Sequence, residues 1–181
     1  MGPETVNKIS NKHVISIYYQ DKLAVHRLSE VFKELLPLNQ RPISFICIGT
    51  DRSTGDSFGP LTGTFLQQAG LKNVHGSLNK PVHACNLDYY LNKIPKSHFI
   101  VGLDAALGKN VDSIGMINVK NSMLYPGRGV NKQLTPVGEL AVTFTVNAGS
   151  GFMEYLVLQS TRLNIVWEGA KVVAKAILSA T

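Results

Sequence analysis

Residues 43–60 read ISFICIGTDRSTGDSFGP and combine an apolar run, a polar loop and the beginning of a helical pattern. The run from Ile43 to Ile48 is almost continuously apolar, which is typical of a central strand buried on both faces of a sheet. It breaks at Gly49, and behind Pro60 the apolar residues recur at helical spacing. We therefore predict a strand, a loop and a helix. In an open α/β sheet, such a loop lies at the carboxyl end of a strand, where these folds bind ligands.

Helical and strand patterns alternate along the remaining chain, which indicates a mainly parallel α/β sheet covered on both faces. The predicted helices are 23–36, 83–94 and the region 152–178 with a break near Asn164; the predicted further strands are 71–77, 98–104, 114–119 and 139–146. Residues of the last helical region that we expect to be buried are Leu156, Leu163, Val166, Trp167, Val173 and Ile177.

Composition favours one compact soluble domain over residues 1–181, with a loose polar N-terminal segment at 1–12. Hydrophobic residues make up 44% and charged residues 17% of the 181 positions. No apolar run is long enough to span a bilayer and no secretory signal pattern begins the chain, so we expect a cytoplasmic protein without a membrane partner. The net charge of +6 is scattered, and we do not expect nucleic-acid binding. Cys47 and Cys85 are interpreted as reduced structural thiols.

The loop between Gly49 and Gly59 does not fit the usual nucleotide-binding motifs. A phosphate-binding loop needs four residues between its glycines, whereas five separate Gly49 from Gly55, and Asp56 stands where that motif has lysine. Asp51 replaces the second glycine of the dinucleotide fingerprint. Ser53 and Ser57 are not in a nucleophile elbow.

Two aspartates follow apolar runs and form the strongest candidate site. Asp56 follows the first strand and its loop, and Asp104 closes the apolar run that begins at Phe99. If the two strands are neighbours, the carboxylates converge at one edge of the sheet. They would then share a proton, one acting as base and the other as acid, or hold a divalent metal ion. The alternative for Asp56 is a helix N-cap.

Several blocks of the sequence resemble the YyaC-type sporulation proteins over about residues 44–173. The blocks are 47–60 (CIGTDRSTGDSFGP), 81–84 (PVHA), 102–105 (GLDA), 126–132 (PGRGVNK), 136–138 (PVG) and 151–154 (GFME). These proteins are similar, more distantly, to the germination protease of spores and to hydrogenase maturation endopeptidases. The resemblance implies a three-layer α/β/α sandwich with a mixed, mainly parallel sheet.

The resemblance also implies a function, because the two aspartates that are implicated in the germination protease match Asp56 and Asp104. Maturation endopeptidases hold nickel with a later histidine, and this chain has none after His98. We therefore expect a sporulation-associated peptidase without a bound cofactor, acting on a protein substrate such as spore proteins. A non-catalytic sporulation factor and a metal-dependent maturation endopeptidase are the alternatives.

Four further residues are predicted to bind the substrate. Arg128 and Lys132 lie in a long glycine-containing loop and are suited to an acidic or carboxylate-bearing substrate. Backbone amides of the loop that contains Gly49 and Gly55 are suited to polarising a carbonyl. Glu154 and His83 are weaker candidates, since Glu154 can simply begin a helix and His83 can cap one.

Overall fold

The computed structural model describes residues 15–127 and 134–181, and all six strands of this part belong to one sheet. The strands are β1 (Ile15–Tyr18), β2 (Ile43–Cys47), β3 (Val74–His75), β4 (Phe99–Gly108), β5 (Met116–Lys120) and β6 (Leu140–Ala148). The helices are α1 (Ala24–Leu35), α2 (Phe58–Gln68), α3 (Leu87–Lys93), α4 (Glu154–Gln159) and α5 (Leu163–Ala180). Single turns of 3₁₀ helix occur at Gly55–Ser57 and Val111–Ser113.

The sheet has the strand order β1-β5-β6-β4-β2-β3. Strands β6, β4, β2 and β3 are parallel, whereas β5 runs antiparallel to both β6 and β1. The predicted α/β class and the mixed, mainly parallel sheet are therefore confirmed. Strand β2, which precedes Asp56, and strand β4, which contains Asp104, are direct neighbours inside the sheet, as the convergence of Asp56 and Asp104 requires.

Two apolar layers cover the sheet, in agreement with a three-layer α/β/α sandwich. Helices α1, α2 and α5 pack on one face, around a core whose largest fully buried members include Phe32, Phe58 and Phe144. The other face is covered by α3 and by the loop that follows β5, with Val82, Leu124 and Val137 in its core. Among the helices of the described residues, none is long and apolar enough to cross a membrane.

The structure corrects the predicted strands in two places. The sequence pattern does not predict β1, because four residues at the sheet edge with one buried side chain give almost no periodic signal. Strand β4 does not end at Asp104 but continues to Gly108, since its far half pairs with β6 after β2 has ended. Asp104 therefore lies inside β4, one residue beyond the last pair that β4 makes with β2.

The last helical region is divided at 160–162, close to the predicted break. The prediction of burial is wrong for three of its residues. Leu156, Leu163 and Trp167 expose 43%, 57% and 40% of their surface, whereas Val166, Val173 and Ile177 are buried as predicted. The short helix α4 explains part of the error, because the helical period of α5 does not extend across the break.

Candidate active site

The loop after β2 folds back on itself before α2 begins. The amide of Thr50 donates to the carbonyl of Asp56 at 3.1 Å, and the amide of Gly49 donates to the carbonyl of Val82 at 2.8 Å. The amide and hydroxyl of Ser57 both donate to the carbonyl of Thr54, at 3.2 and 2.6 Å, and close the 3₁₀ turn. Asp56 is thereby fixed in the middle of that turn, at the carboxyl edge of the sheet.

The N-cap interpretation of Asp56 is wrong. Thr54 occupies the cap position of the 3₁₀ turn and Ser57 that of α2, and neither side chain accepts a capping hydrogen bond from the helix that follows it. Asp56 is partly buried inside the turn, where its carboxylate interacts electrostatically with Asp104. A reactive role for Asp56 stays a prediction.

Gly49 and Gly55 are required by close packing of the loop. A Cβ at Gly49, whose φ is +141°, would lie 1.9 Å from the carbonyl oxygen of Asp56. A Cβ at Gly55 would come within 2.9 Å of Leu158 and of the Thr161 hydroxyl. The amide of Gly49 is already bonded to Val82, so this glycine shapes the site through its backbone. Contact of either glycine with a substrate stays a prediction.

Asp104 is placed on the sheet face that α3 and the loop after β5 cover. Side chains two residues apart share a face of a strand, and a Cβ at Gly102 would touch Leu124 and Val137 of that loop. The carboxylate of Asp104 is 8% exposed and accepts hydrogen bonds from the backbone amides of Ala105 and Gly127. The loop thus closes over the carboxylate and supplies one of its hydrogen-bond donors.

Burial raises the pKa of Asp104 well above its ordinary value near 3.8, and the negative charge of Asp56 raises this pKa further. The amides of Ala105 and Gly127 act in the opposite direction, because they stabilise the ionised carboxylate. The two raising effects dominate, so Asp104 holds its proton to higher pH than an isolated aspartate. A neutral carboxyl beside a charged one can donate a proton while its neighbour accepts one.

This shift predicts that Asp104→Asn stabilises the protein at neutral pH. The unfolded chain ionises at the ordinary pKa of Asp104, whereas the folded chain ionises only at a higher pKa, so wild-type stability falls as pH rises from about 3.8 through the raised pKa. Asparagine cannot ionise. At pH 7 we expect the unfolding free energy of the variant to exceed that of wild type by about 1 kcal/mol, which corresponds to about 2–4 °C in Tm. At pH 3 we expect the two proteins to be equally stable.

Thermal unfolding measured between pH 3 and pH 8 checks this expectation. Asp51→Asn is the matched control, because Asp51 is an exposed aspartate of the same loop. A stability gain at pH 7 that persists unchanged at pH 3, or an equal gain in the control, would contradict the raised pKa.

The other predicted site residues divide into two groups. Arg128 and Lys132 lie outside the described residues. Glu154 is the first residue of α4, and its carboxylate accepts hydrogen bonds from the amides of Ser150 and Gly151, at 3.3 and 2.6 Å. The amides of Asn86 and Leu87 donate to the carbonyl of His83, so this histidine belongs to the turn that starts α3.

Within residues 15–127 and 134–181, no group of three or more His, Cys, Asp or Glu side chains is placed to hold a metal ion. Asp56 and Asp104 together offer carboxylate oxygens, the ligands that hard divalent cations prefer. Water or substrate would have to complete the coordination of an ion bound there. A divalent metal at this pair stays a prediction.

Sequence reasoning missed two features of the site. The amide of Gly127 contacts Asp104 from 23 positions away in the chain, and only the Pro126-Gly127 turn marks the place where the backbone reverses. The hydroxyl of Ser53 is buried and has no hydrogen-bond partner among residues 15–127 and 134–181. No residue pattern predicts either feature, because both depend on how the loops pack.

Fold and site together define an α/β/α domain that carries an interacting pair of aspartates beside the ends of its central strands. Residues 16–176 match the model of a family described as a protein of unknown function, DUF1256. The chain belongs to this family. It is also similar to the uncharacterized protein YyaC of Bacillus subtilis (strain 168), with 49% identity over 142 residues, which cover 76% of this chain and 68% of that protein. The YyaC-type resemblance is thereby confirmed; a relationship to spore proteases stays a prediction.

Proposed function

We propose that the chain is a peptide hydrolase in which Asp56 and Asp104 activate water against a peptide carbonyl. The coupling of the two carboxylates carries the proposal, since burial and the charge of Asp56 both raise the pKa of Asp104. Two carboxyls that share one proton supply an acid and a base at the same place. The resemblance of both aspartates to the pair implicated in the germination protease supports the same assignment.

In the proposed reaction Asp56 is the base and Asp104 the acid. Asp56 takes a proton from water as the water oxygen bonds to the carbonyl carbon, and Asp104 gives its proton to the carbonyl oxygen. The resulting diol collapses as the C–N bond breaks. Asp56 then protonates the leaving nitrogen, and Asp104 regains a proton from one hydroxyl. The cycle consumes one water and restores both carboxyls.

The proposed substrate is a protein of the sporulation programme, such as a spore protein, in the cytoplasm of a spore-forming bacterium. The similarity to YyaC of Bacillus subtilis and the resemblance of the two aspartates to the pair implicated in the germination protease support this choice. Arg128 and Lys132 are proposed to bind acidic or carboxylate groups of the substrate, and the net charge of +6 favours such a partner.

The test is a cleavage assay on spore-protein extracts and synthetic peptides, with new termini identified by mass spectrometry. Wild type should cleave with and without a chelator. Loss of cleavage on chelation would instead favour a metal-dependent maturation endopeptidase. A folded wild type that cleaves neither substrate would contradict the proposal and favour a non-catalytic sporulation factor.

A further inference from the structure

Four apolar side chains are exposed together on the segment that begins α4. Phe152 exposes 72% of its surface, Met153 47%, Tyr155 56% and Leu156 43%. We call these four residues the α4 apolar surface. Single exposed apolar residues are common on proteins, but four within five positions make a candidate binding surface.

The α4 apolar surface belongs to a segment that meets both carboxylate-bearing elements, the turn of Asp56 and strand β4. Helix α4 packs against the 3₁₀ turn that carries Asp56, and a Cβ at Gly55 would touch Leu158 of this helix. The segment leaves the sheet where the amide of Gly149 donates to the carbonyl of Gly108, at the end of β4. Gly108 follows Asp104 by four residues, about 13 Å along a strand. Phe152 follows Gly149 by three residues, so an extended peptide at the carboxylates reaches the surface within about seven residues.

The backbone of this segment includes one residue in a left-handed conformation. Met153 has a left-handed φ of +55°, a conformation that is uncommon for residues other than glycine and asparagine. Such conformations persist where the surrounding structure enforces them, and they concentrate at binding sites. Glu154, the one acidic residue between Gly149 and Leu158, has its carboxylate bonded to the amides of Ser150 and Gly151. Its charge is therefore directed into the turn, and an apolar ligand suits the surface.

We propose that the α4 apolar surface binds an apolar or aromatic side chain of the substrate polypeptide, within about seven residues of the bond that the carboxylates attack. This inference rests on the proposed function and names its substrate class. Four partly exposed side chains offer roughly 400 Å², about half of what each partner of a standard protein interface buries. A short peptide segment therefore fits the surface better than a second folded chain does.

Peptide binding to the full chain with Asp104→Asn tests the proposal, because this variant leaves the peptide intact. The probes are fluorescein-labelled peptides of about twelve residues made of Gly, Ser and Ala, with two Phe residues or with Ser in their place. In fluorescence anisotropy, the Phe peptide should bind about 10-fold more tightly than the Ser peptide, as expected for burial of an aromatic side chain. When Phe152→Ser or Tyr155→Ser is combined with Asp104→Asn, the two peptides should bind with equal affinity.

Tyr89→Ser is the matched control, since Tyr89 on α3 is 57% exposed and Tyr155 is 56% exposed. Equal binding of the two peptides, an unchanged preference in both α4 variants, or an equal loss in Tyr89→Ser would overturn the proposal. A concentration-dependent dimer that Tyr155→Ser dissociates would also overturn it, in favour of a second copy. If the Phe peptide binds through this surface but wild type never cleaves it, the surface stands and the peptidase function fails.

Discussion

Asp104→Asn and Asp56→Asn are each expected to lower the rate of peptide cleavage about 10³-fold, in a chain that still folds. General acid and base steps each contribute about 10²–10⁴-fold to enzymatic rates. An amide in place of the Asp104 carboxyl would keep its shape but be a much weaker acid, and an amide in place of the Asp56 carboxylate could not accept a proton from water. The rate constant kcat should carry the loss, because neither group is needed to bind the rest of a peptide.

The double variant Asp56→Asn/Asp104→Asn tests more sharply than either single variant whether the two carboxyls act as a unit. Residues that act as a unit are strongly non-additive, so removal of the second carboxyl should cost little more than removal of the first. Asp51→Asn again serves as control, because it removes an exposed charge of the same loop and should stay within about 3-fold of wild type. Additive losses of about 10³-fold each, or an equal loss in the control, would contradict a shared-proton pair.

Gly59→Ala is expected to cost about 3 kcal/mol of unfolding free energy, which corresponds to about 6–12 °C in Tm. A Cβ at Gly59 would lie 2.0 Å from the carbonyl oxygen of Ile48 and 2.7 Å from its amide nitrogen. The Ile48 backbone cannot easily withdraw, because its amide donates to the carbonyl of Leu103 at 2.8 Å and Ile48 also bridges to Val82. The substitution therefore forces α2 away from the end of β2.

Gly70→Ala separates this steric effect from the general cost of replacing a glycine. A Cβ at Gly70 meets nothing within 4 Å, but its φ of +85° is left-handed. We expect a loss of about 1–2 kcal/mol there from the backbone alone. Denaturant unfolding of both variants checks the difference. A Gly59→Ala protein that is as stable as Gly70→Ala would show that α2 is not packed as tightly on β2 as the structure requires.

Much of the fold follows from the sequence, because the central strands are buried on both faces and give long apolar runs. The predictions for strands β2 and β4 and for helix α2 lie close to the observed elements for this reason. Strand β1 escapes prediction because its position at the sheet edge leaves only Ile17 buried. The length of β4 depends on its pairing with β6, which the residues of β4 alone do not reveal.

The sequence predicts the charged residues of the candidate site but not the contacts that arrange them. Asp56 and Asp104 stand out because carboxylates are unusual after buried apolar runs, and the parallel neighbours β2 and β4 bring them together. The role of Gly49 is steric, and it depends on the carbonyl of Asp56, seven residues later. Tyr155 and Leu156 lie in the short helix α4, before the break at 160–162, and both are exposed although Leu156 fits the apolar helical pattern.

The central claim is that Asp104 holds a proton because of its burial and the adjacent charge of Asp56. A titration of the Asp104 carboxyl carbon by ¹³C NMR measures this directly, in wild type and in Asp56→Asn. The pKa of Asp104 should lie well above 3.8 in wild type and should fall when Asp56 is neutralised, without returning fully to 3.8 because burial remains. A wild-type pKa near 3.8, or one that Asp56→Asn leaves unchanged, would contradict the shared-proton site.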